Sequence, residues 1–194
     1  RAETGDYAYD FIPVDYYGSD LFPSKRYLGK SGQIVLSLLH KLNLRPGEDV
    51  EICQGYIFVQ AREKLQEKGI SYRSVKIGEP LQSIIEETFQ EYALGLGVPI
   101  QYVKYTKYPL HFHRILRWVY ADYEKRAGLC KTGWKSWKKY GNLPIEVRDD
   151  ILYRSNYICL RCGKSIPKGS KVKRLEYFSN CPNTVYLHHR CRHS

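Results

Sequence analysis

Four side chains near the end of the sequence have the types and spacing of a metal-binding site. Cys159 and Cys162 are separated by two residues, and His188 and Cys191 repeat that spacing further along. Such spacing lets each pair hold one cation from a single backbone turn, and three thiolates with one imidazole suit tetrahedral Zn²⁺. Gly163, directly after the first pair, fits a tight turn around a bound thiolate. The pattern therefore predicts a zinc site on these residues.

This site is expected to be structural, because four protein ligands leave no open coordination position on zinc. Its binding free energy, roughly 10–16 kcal/mol in comparable peptides, would fold a small segment with few apolar residues. Cys181 or His189 in place of His188 stays open as an alternative ligand. The crowding of cysteines beside histidines, without a recognisable secretion signal, favours metal over disulfides. Cys53 and Cys130 lack such spacing and are expected to be core thiols.

The last 36 residues also resemble known zinc fingers. The segment contains, in order, Cys-x2-Cys, Ile-x-Lys-Gly and an aromatic residue before His-x2-Cys. This order is similar to that of zinc fingers of the poly(ADP-ribose) polymerase type and, more loosely, to the first half of LIM modules. The matching positions are Cys159, Cys162, Ile166, Lys168, Gly169, Tyr186, His188 and Cys191. The first family implies binding to DNA ends and the second implies binding to proteins. The spacer of 25 residues between Cys162 and His188 is short for the first and long for the second.

Positive charge is concentrated in the second half of the chain. The formal net charge is +11 at pH 7, yet residues 1–103 hold 11 basic and 14 acidic side chains, whereas residues 104–194 hold 20 basic and 6 acidic ones. A one-sided positive field of this size indicates a polyanionic partner, most often DNA or RNA. A protein partner with an acidic surface is the alternative.

The candidate nucleic-acid-binding residues combine cations, which neutralise phosphates, with aromatic rings, which stack on unpaired bases. They are Arg114, Arg117, Trp134, Lys135, Trp137, Lys138, Lys139, Arg161, Lys164, Lys168, Lys171, Lys173 and Arg174. Burial of both tryptophans in the core is an alternative of similar weight.

Periodicity predicts an α/β fold with a largely parallel sheet and flanking helices over residues 1–142, followed by a treble-clef-like zinc module over 143–194. Strands are expected at 7–17, 49–59, 70–77 and 98–103, and helices at 31–44, 60–68, 79–96, 111–126 and 146–155. Ser31 is the expected N-cap of the first helix. In the zinc module, the spacer is expected to form a hairpin and His188 to begin a helix.

Two further function classes can be weighed from the sequence. A Mg²⁺- or Mn²⁺-dependent nuclease with a ribonuclease-H-like domain would need several carboxylates gathered on the sheet, and the candidates are Asp10, Asp15, Asp49 and Glu51. Gly29-Lys30-Ser31-Gly32 resembles the end of a phosphate-binding loop, but helix capping is the better interpretation. No run of about 18 apolar residues is present. The leading expectation is a cytoplasmic, non-membrane protein, with the nucleoid or nucleus as alternative locations and with binding favoured over an enzymatic role that stays open.

Overall fold

The computed structural model describes residues 1–103 and 108–191. The chain divides into two compact units, of which the first comprises 1–83 with 130–134 and the second comprises 84–129 with 135–194. Residue 142, where the sequence predicted a boundary, lies within the second unit, and independent folding of 143–194 stays a prediction.

The first unit is a short helix and strand assembly. In chain order it contains a 3-10 helix (Val14–Tyr17), α1 (Arg26–Lys41), β1 (Val50–Cys53), a 3-10 helix (Tyr56–Phe58), α2 (Val59–Glu67) and β2 (Tyr72–Val75). β1 and β2 pair in parallel, with Val50 opposite Tyr72 and Cys53 opposite Val75. Ile52, Ala61 and Leu65 form the buried centre beneath this pair. The sequence thus predicted the β1–α2–β2 order correctly.

Three sequence-based expectations for this unit are not met. The segment 7–17 contains no strand and instead ends in a 3-10 helix that follows Pro13, whose ring removes a backbone donor. Helix α1 begins at Arg26, so Ser31 lies inside the helix, where it is buried, and does not cap it. The parallel sheet is also small, because it has two strands among the described residues and not the several expected.

The second unit contains five helices followed by five strands in its described part. The helices are α3 (Leu81–Gly95), which begins at the end of the first unit, α4 (Ile100–Val103), α5 (Tyr108–Ala121), α6 (Tyr123–Arg126) and α7 (Lys135–Tyr140), with a 3-10 helix at Ala127–Leu129. The strands are β3 (Glu146–Ile151), β4 (Tyr157–Ile158), β5 (Ser165–Ile166), β6 (Lys171–Phe178) and β7 (Pro182–His188).

The strands of the second unit form an antiparallel sheet and a separate hairpin. The sheet has the order β3-β6-β7, and β4 pairs with β5 over only two residue pairs. Along β7, Asn183, Val185 and Leu187 are buried while the residues between them are partly exposed, which is the period of two expected of a strand with one face on the core. Leu116 and Tyr120 of α5 belong to the same buried cluster as Val185 and Leu187.

Three expectations for this unit are wrong. Residues 100–103 are helical and not extended, and 146–151 form strand β3 and not a helix. β3 is a strand because every one of its six residues pairs with β6, a partner far away in sequence. His188 is the last residue of a strand and does not begin a helix, so the treble-clef arrangement is not present in the described residues.

Candidate metal centre

The first ligand pair lies in the turn that joins β4 to β5. Cys159 follows β4 directly, and its backbone N–H donates to the carbonyl of Lys164 at 2.9 Å. The N–H of Gly163 donates back to the carbonyl of Cys159 at 2.8 Å, and Gly163 has a φ of +73°. This left-handed conformation is readily available to glycine, which is why a glycine follows the second cysteine. The turn holds the thiols of Cys159 and Cys162 on one side.

The second ligand pair lies where β7 ends. His188 is the final residue of the strand, and the N–H of Cys191 donates to the carbonyl of His188 at 3.1 Å, which closes a tight turn between the two ligands. On β7, His188 is on the opposite face from the buried Leu187. His188 therefore faces the β4–β5 hairpin, while Cys191 packs against the buried core of the unit.

The four ligand atoms converge on one point. All of them lie within 4.8 Å of one another. The Sγ atoms of Cys159 and Cys191 are 3.7 Å apart, and Cys162 Sγ is 3.4 Å from His188 Nδ1. A tetrahedral zinc ion with bonds of about 2.3 Å to sulfur and about 2.1 Å to nitrogen has S···S edges of about 3.8 Å and S···N edges of about 3.6 Å. A disulfide would instead require about 2.0 Å. The four side chains can therefore hold a metal ion, and these cysteines are not oxidised to disulfides.

A hydrogen bond from outside the cluster orients the imidazole. His188 Nε2 lies 3.1 Å from the carbonyl oxygen of Ser165, the first residue of β5. Since a carbonyl oxygen only accepts, Nε2 carries the proton and donates, and the lone pair of Nδ1 is left for a metal. Metal-binding histidines commonly have such a partner on the second ring nitrogen.

The electrostatics of the metal-free cluster also favour a cation. Burial raises the pKa of the Cys159 thiol, but backbone N–H groups of His188, Cys162 and Arg161 stabilise its thiolate and bring its pKa down to about 7. Burial together with the neighbouring Cys159 and Cys162 raises the pKa of Cys191 to about 12. The Cys159 and Cys191 thiols therefore do not both ionise near neutral pH unless a positive ion compensates their charge.

A buried arginine holds the first ligand pair against helix α5. Arg126, which is 9% exposed, donates to the carbonyls of Leu160 at 2.7 Å and Arg161 at 3.0 Å, the two residues between Cys159 and Cys162. It also donates to the carbonyl of Trp118 at 2.6 Å, with its guanidinium carbon 4.1 Å from the centre of that indole. Arg161 donates in return to the carbonyl of Ala121 at 2.8 Å. We call this set of bonds the arginine clamp.

The alternative ligands considered from the sequence do not join the cluster. Cys181 directly precedes β7, whereas His188 ends it, so about 20 Å of extended strand separates them. The Nε2 atom of His189 lies 3.2 Å from a carboxylate oxygen of Asp149 and is directed toward β3. Of the histidine and cysteine candidates, the structure brings together Cys159, Cys162, His188 and Cys191.

The predicted basic residues on β6 and around the β4–β5 hairpin fall into two groups. Lys173 pairs with Asp149 at 2.6 Å, and Arg174 pairs with Asp150 at 2.7 Å and with Glu176 at 3.0 Å, so the carboxylates of the sheet balance these cations. Lys164, Lys168 and Lys171 are exposed and have no carboxylate partner in the described part of the chain. We call these three the hairpin lysines, because they lie in and directly after the β4–β5 hairpin.

The remaining cations bind neutral acceptors or are exposed. Arg117 donates through Nε to the side-chain oxygen of Asn183 at 3.0 Å, and Arg114 donates to the carbonyl of Gln101 at 3.3 Å. Neither bond cancels the positive charge. Lys135, Lys138 and Lys139 of α7 are exposed, with the Lys139 ammonium 4.8 Å from the ring centre of Tyr140.

The two tryptophans of the predicted basic and aromatic segment lie in different units. Trp137 of α7 is partly buried, and its ring stacks on Tyr123 with 6.4 Å between centroids. Trp134 belongs to the first unit, where its ring centroid is 6.2 Å from that of Phe22 and 36% of the residue is exposed. Trp137 therefore has a packing role, while Trp134 retains an accessible ring.

The arginine clamp and the acceptor of the His188 proton were not found from the sequence. Arg126 is one of many cations at the end of a predicted helix, and its acceptors are backbone carbonyls more than 30 residues away. Ser165 participates through its backbone, which carries no residue-specific signal. The sequence marks neither residue, since Arg126 is followed by Ala127 and is simply the last residue of the predicted helix at 111–126.

The carboxylates proposed for a nuclease do not form a comparable cluster. Within the side chains that the structure describes, the group of His, Cys, Asp or Glu residues able to hold a metal is the Cys and His one. Glu51 instead pairs with Arg73 at 3.1 Å, and Asp15 lies in the 3-10 helix at Val14–Tyr17. None of the helices in the described part of the chain is long and apolar enough to cross a membrane.

Comparison of the chain with protein-family models, with curated proteins and with solved structures found no match. The likeness to fingers of the poly(ADP-ribose) polymerase and LIM types therefore has no support from a family model. The geometry of the Cys and His cluster and the charge of the second unit are therefore the features that bear on function.

Proposed function

We propose that this chain is a nucleic-acid-binding protein whose second unit is organised by a structural zinc ion. The donor set supports zinc, because three thiolates and an imidazole match its preferences and the two measured edges match its tetrahedron. Cys159 is fully buried and four ligands complete the shell, so the ion would hold the hairpin to the end of β7 and would not bind a substrate.

The observation that carries the binding role is the charge of the unit that bears the metal cluster. Residues 84–129 and 135–194 hold 19 basic and 9 acidic side chains, a formal charge of +10, whereas the first unit has 12 basic and 11 acidic ones. Four acidic groups of the second unit, Glu146, Asp149, Asp150 and Glu176, are engaged by cations of the sheet. The positive charge left over therefore includes that of the hairpin lysines, of α5 and α7, and of the exposed Arg154 and Arg190.

Lysine and arginine side chains can bind the phosphates of a nucleic acid. Such contacts give affinity that does not depend on the base sequence. The hairpin lysines extend from or beside tight turns that the metal would fix, so their spacing would not depend on flexible chain. We therefore expect sequence-tolerant binding that weakens steeply as salt increases.

The test is fluorescence anisotropy with labelled DNA and RNA strands of about 12 nucleotides, a length within the usual site sizes of such proteins. Affinity is measured between about 50 and 200 mM salt. In the variant K164Q/K168Q/K171Q, the slope of log affinity against log salt should fall by about 2, since each lost contact to a single strand removes about 0.7.

The matched control is K41Q/K68Q/K76Q, which removes the same charge from exposed lysines of the first unit. It should leave the slope nearly unchanged. Equal effects of the two triple variants would show that net charge alone matters and would contradict a surface at the hairpin. Absence of binding to either nucleic acid would overturn the proposal and favour the protein-docking alternative.

A further inference from the structure

A cavity of about 290 Å³ lies between helix α4 and the β4–β5 hairpin of the second unit. Gln101 and Tyr102 of α4 form one side, while Asn156, Tyr157 and Ser165 come from the hairpin and its approach. Leu160, between the first two metal ligands, completes the wall. The sequence did not predict this cavity, because its two sides are more than 50 residues apart.

The lining suits a flat, partly polar ring. Tyr157 is held in place by Tyr186, whose ring meets it edge to face with 5.2 Å between centroids and an angle of 80°. The Asn156 side-chain oxygen accepts the N–H of Lys168 at 2.9 Å, which orients the amide and leaves its NH₂ group to donate. An ordered aromatic wall with an oriented amide can stack on a ring and hydrogen-bond to its edge.

Positive charge lies beside the cavity. Burial raises the pKa of the Tyr102 phenol, and the nearby guanidinium of Arg117 opposes this rise. Arg114 has the same effect on Tyr102 and donates to the carbonyl of Gln101 in the cavity wall. Lys164, one of the hairpin lysines, directly precedes Ser165. A ring that entered the cavity would therefore have cations nearby for the phosphates on either side of it.

We propose that this cavity accepts one unpaired base of a single-stranded nucleic acid. The inference depends on the proposed function, which it refines from phosphate contact to a preference for single strands. A base within a duplex presents only its edges in the grooves, whereas a base in a single strand can rotate out and stack on an aromatic side chain. The cavity has an aromatic wall, a side-chain amide and nearby arginines. This combination suits a nucleotide, whose base can stack and whose phosphates are negatively charged, better than a purely apolar ligand.

The metal cluster and the arginine clamp fix the floor of the cavity. The carbonyl of Ser165 accepts the proton of His188, and the carbonyl of Leu160 accepts a hydrogen bond from Arg126. Both residues line the cavity. Removal of the metal should therefore weaken base capture more than it weakens simple attraction to phosphates.

The first experiment uses the unaltered chain. Anisotropy compares a labelled oligothymidylate strand of about 12 nucleotides with an abasic phosphodiester strand of the same length and with a duplex. The abasic strand and the duplex should bind about tenfold more weakly than the thymidylate strand, as expected for loss of one stacked base. A ribose version of the strand distinguishes RNA from DNA as the preferred source of the base.

The second experiment uses the variants Y157L and Y102L, with Y153L as the matched control. Tyr153 is 67% exposed, lies in the same unit and does not line the cavity. Y157L and Y102L should each bind the thymidylate strand about tenfold more weakly than the unaltered chain, with an unchanged salt slope, whereas Y153L should bind normally. Y102L lies outside the metal-binding hairpin, so it decides the matter if Y157L loses its metal.

The outcomes separate the two proposals. Equal binding of abasic and thymidylate strands, or normal binding by Y102L, overturns the base pocket and leaves phosphate binding in place if the salt dependence persists. Absence of nucleic-acid binding by the unaltered chain overturns both.

Discussion

Arg126 and Leu160 are joined by a 2.7 Å hydrogen bond from the guanidinium to the backbone carbonyl, across 34 positions of sequence. Leu160 lies between Cys159 and Cys162, so this bond connects the end of helix α6 to the backbone turn of the candidate metal site. The same guanidinium reaches Arg161 and Trp118. One buried side chain therefore positions the metal-binding turn against the helical core.

We expect R126M to lower the free energy of unfolding by about 2–4 kcal/mol, because buried carbonyls lose their donors. Its affinity for zinc should fall by about 10–100-fold, as for other residues that orient a metal site from outside its ligand shell. Urea denaturation and competition with a chelator measure the two effects. R154M is the control, since Arg154 is an exposed arginine of the same unit. Equal stability of R126M and R154M would contradict a structural role for the clamp.

Metal content tests the ligand set. The purified chain should contain about one zinc per molecule, and C162S or H188Q should contain nearly none, because removal of one ligand opens the tetrahedral shell. C181S should retain its zinc, since Cys181 lies at the far end of β7. Elemental analysis together with native mass spectrometry provides the measurement. Loss of zinc in C181S would show that the ligand assignment is wrong.

Chelation should act on one unit and spare the other. The core of the second unit includes Cys159 and Ile166, whereas the cluster around Leu65 belongs to the first. After metal removal, amide exchange should accelerate at Cys159 and Gly163, whose N–H groups bond across the metal-binding turn. The amides of Val50 and Gln54, which pair with the β2 segment, should keep their protection. Faster exchange at Val50 on chelation would contradict separate stabilisation.

Gly141 provides a test of packing at the end of α7. A Cβ atom built on Gly141 would overlap the indole ring of Trp137, so G141A must displace the indole from its stack on Tyr123. We expect a loss of about 1–3 kcal/mol in unfolding free energy and a change in tryptophan fluorescence. G128A is the control, because a Cβ there meets no atom within 4 Å. The prediction is wrong if the two variants unfold at the same denaturant concentration.

The cluster of Cys159, Cys162, His188 and Cys191 could be predicted because each of its two pairs is local. A turn of four residues brings Cys159 and Cys162 together whatever the rest of the fold does, and the same holds for His188 and Cys191. The association of the two pairs depends on tertiary structure. It could be inferred because cysteine and histidine ligands prefer the same kind of metal ion. The β1–α2–β2 order was also predictable, since apolar runs, alternation and Gly69 mark its boundaries within a short window.

The other features could not be predicted, because they depend on contacts between residues that are far apart in the sequence. The sequence predicted a helix at residues 146–155. The structure instead has a strand at 146–151, which contains four charged side chains and pairs with β6 over its whole length. Asp149 forms an ion pair with Lys173, and Asp150 forms one with Arg174. Those same ion pairs remove two cations from the surface that composition predicted for nucleic acid. The count of charged residues identified the positive half of the chain correctly. It could not distinguish cations that pair with carboxylates from cations that do not.

The ion pairs between β3 and β6 have a consequence for encounter with a partner. Because Asp149 and Asp150 quench Lys173 and Arg174, the sheet contributes little to the electric field of the second unit, while the hairpin lysines contribute fully. A charged body with such an asymmetry experiences a torque as it approaches a polyanion. Under the proposed function, the unit would thus turn its hairpin toward the phosphates while still diffusing, and its docking pose would be set before the surfaces touch.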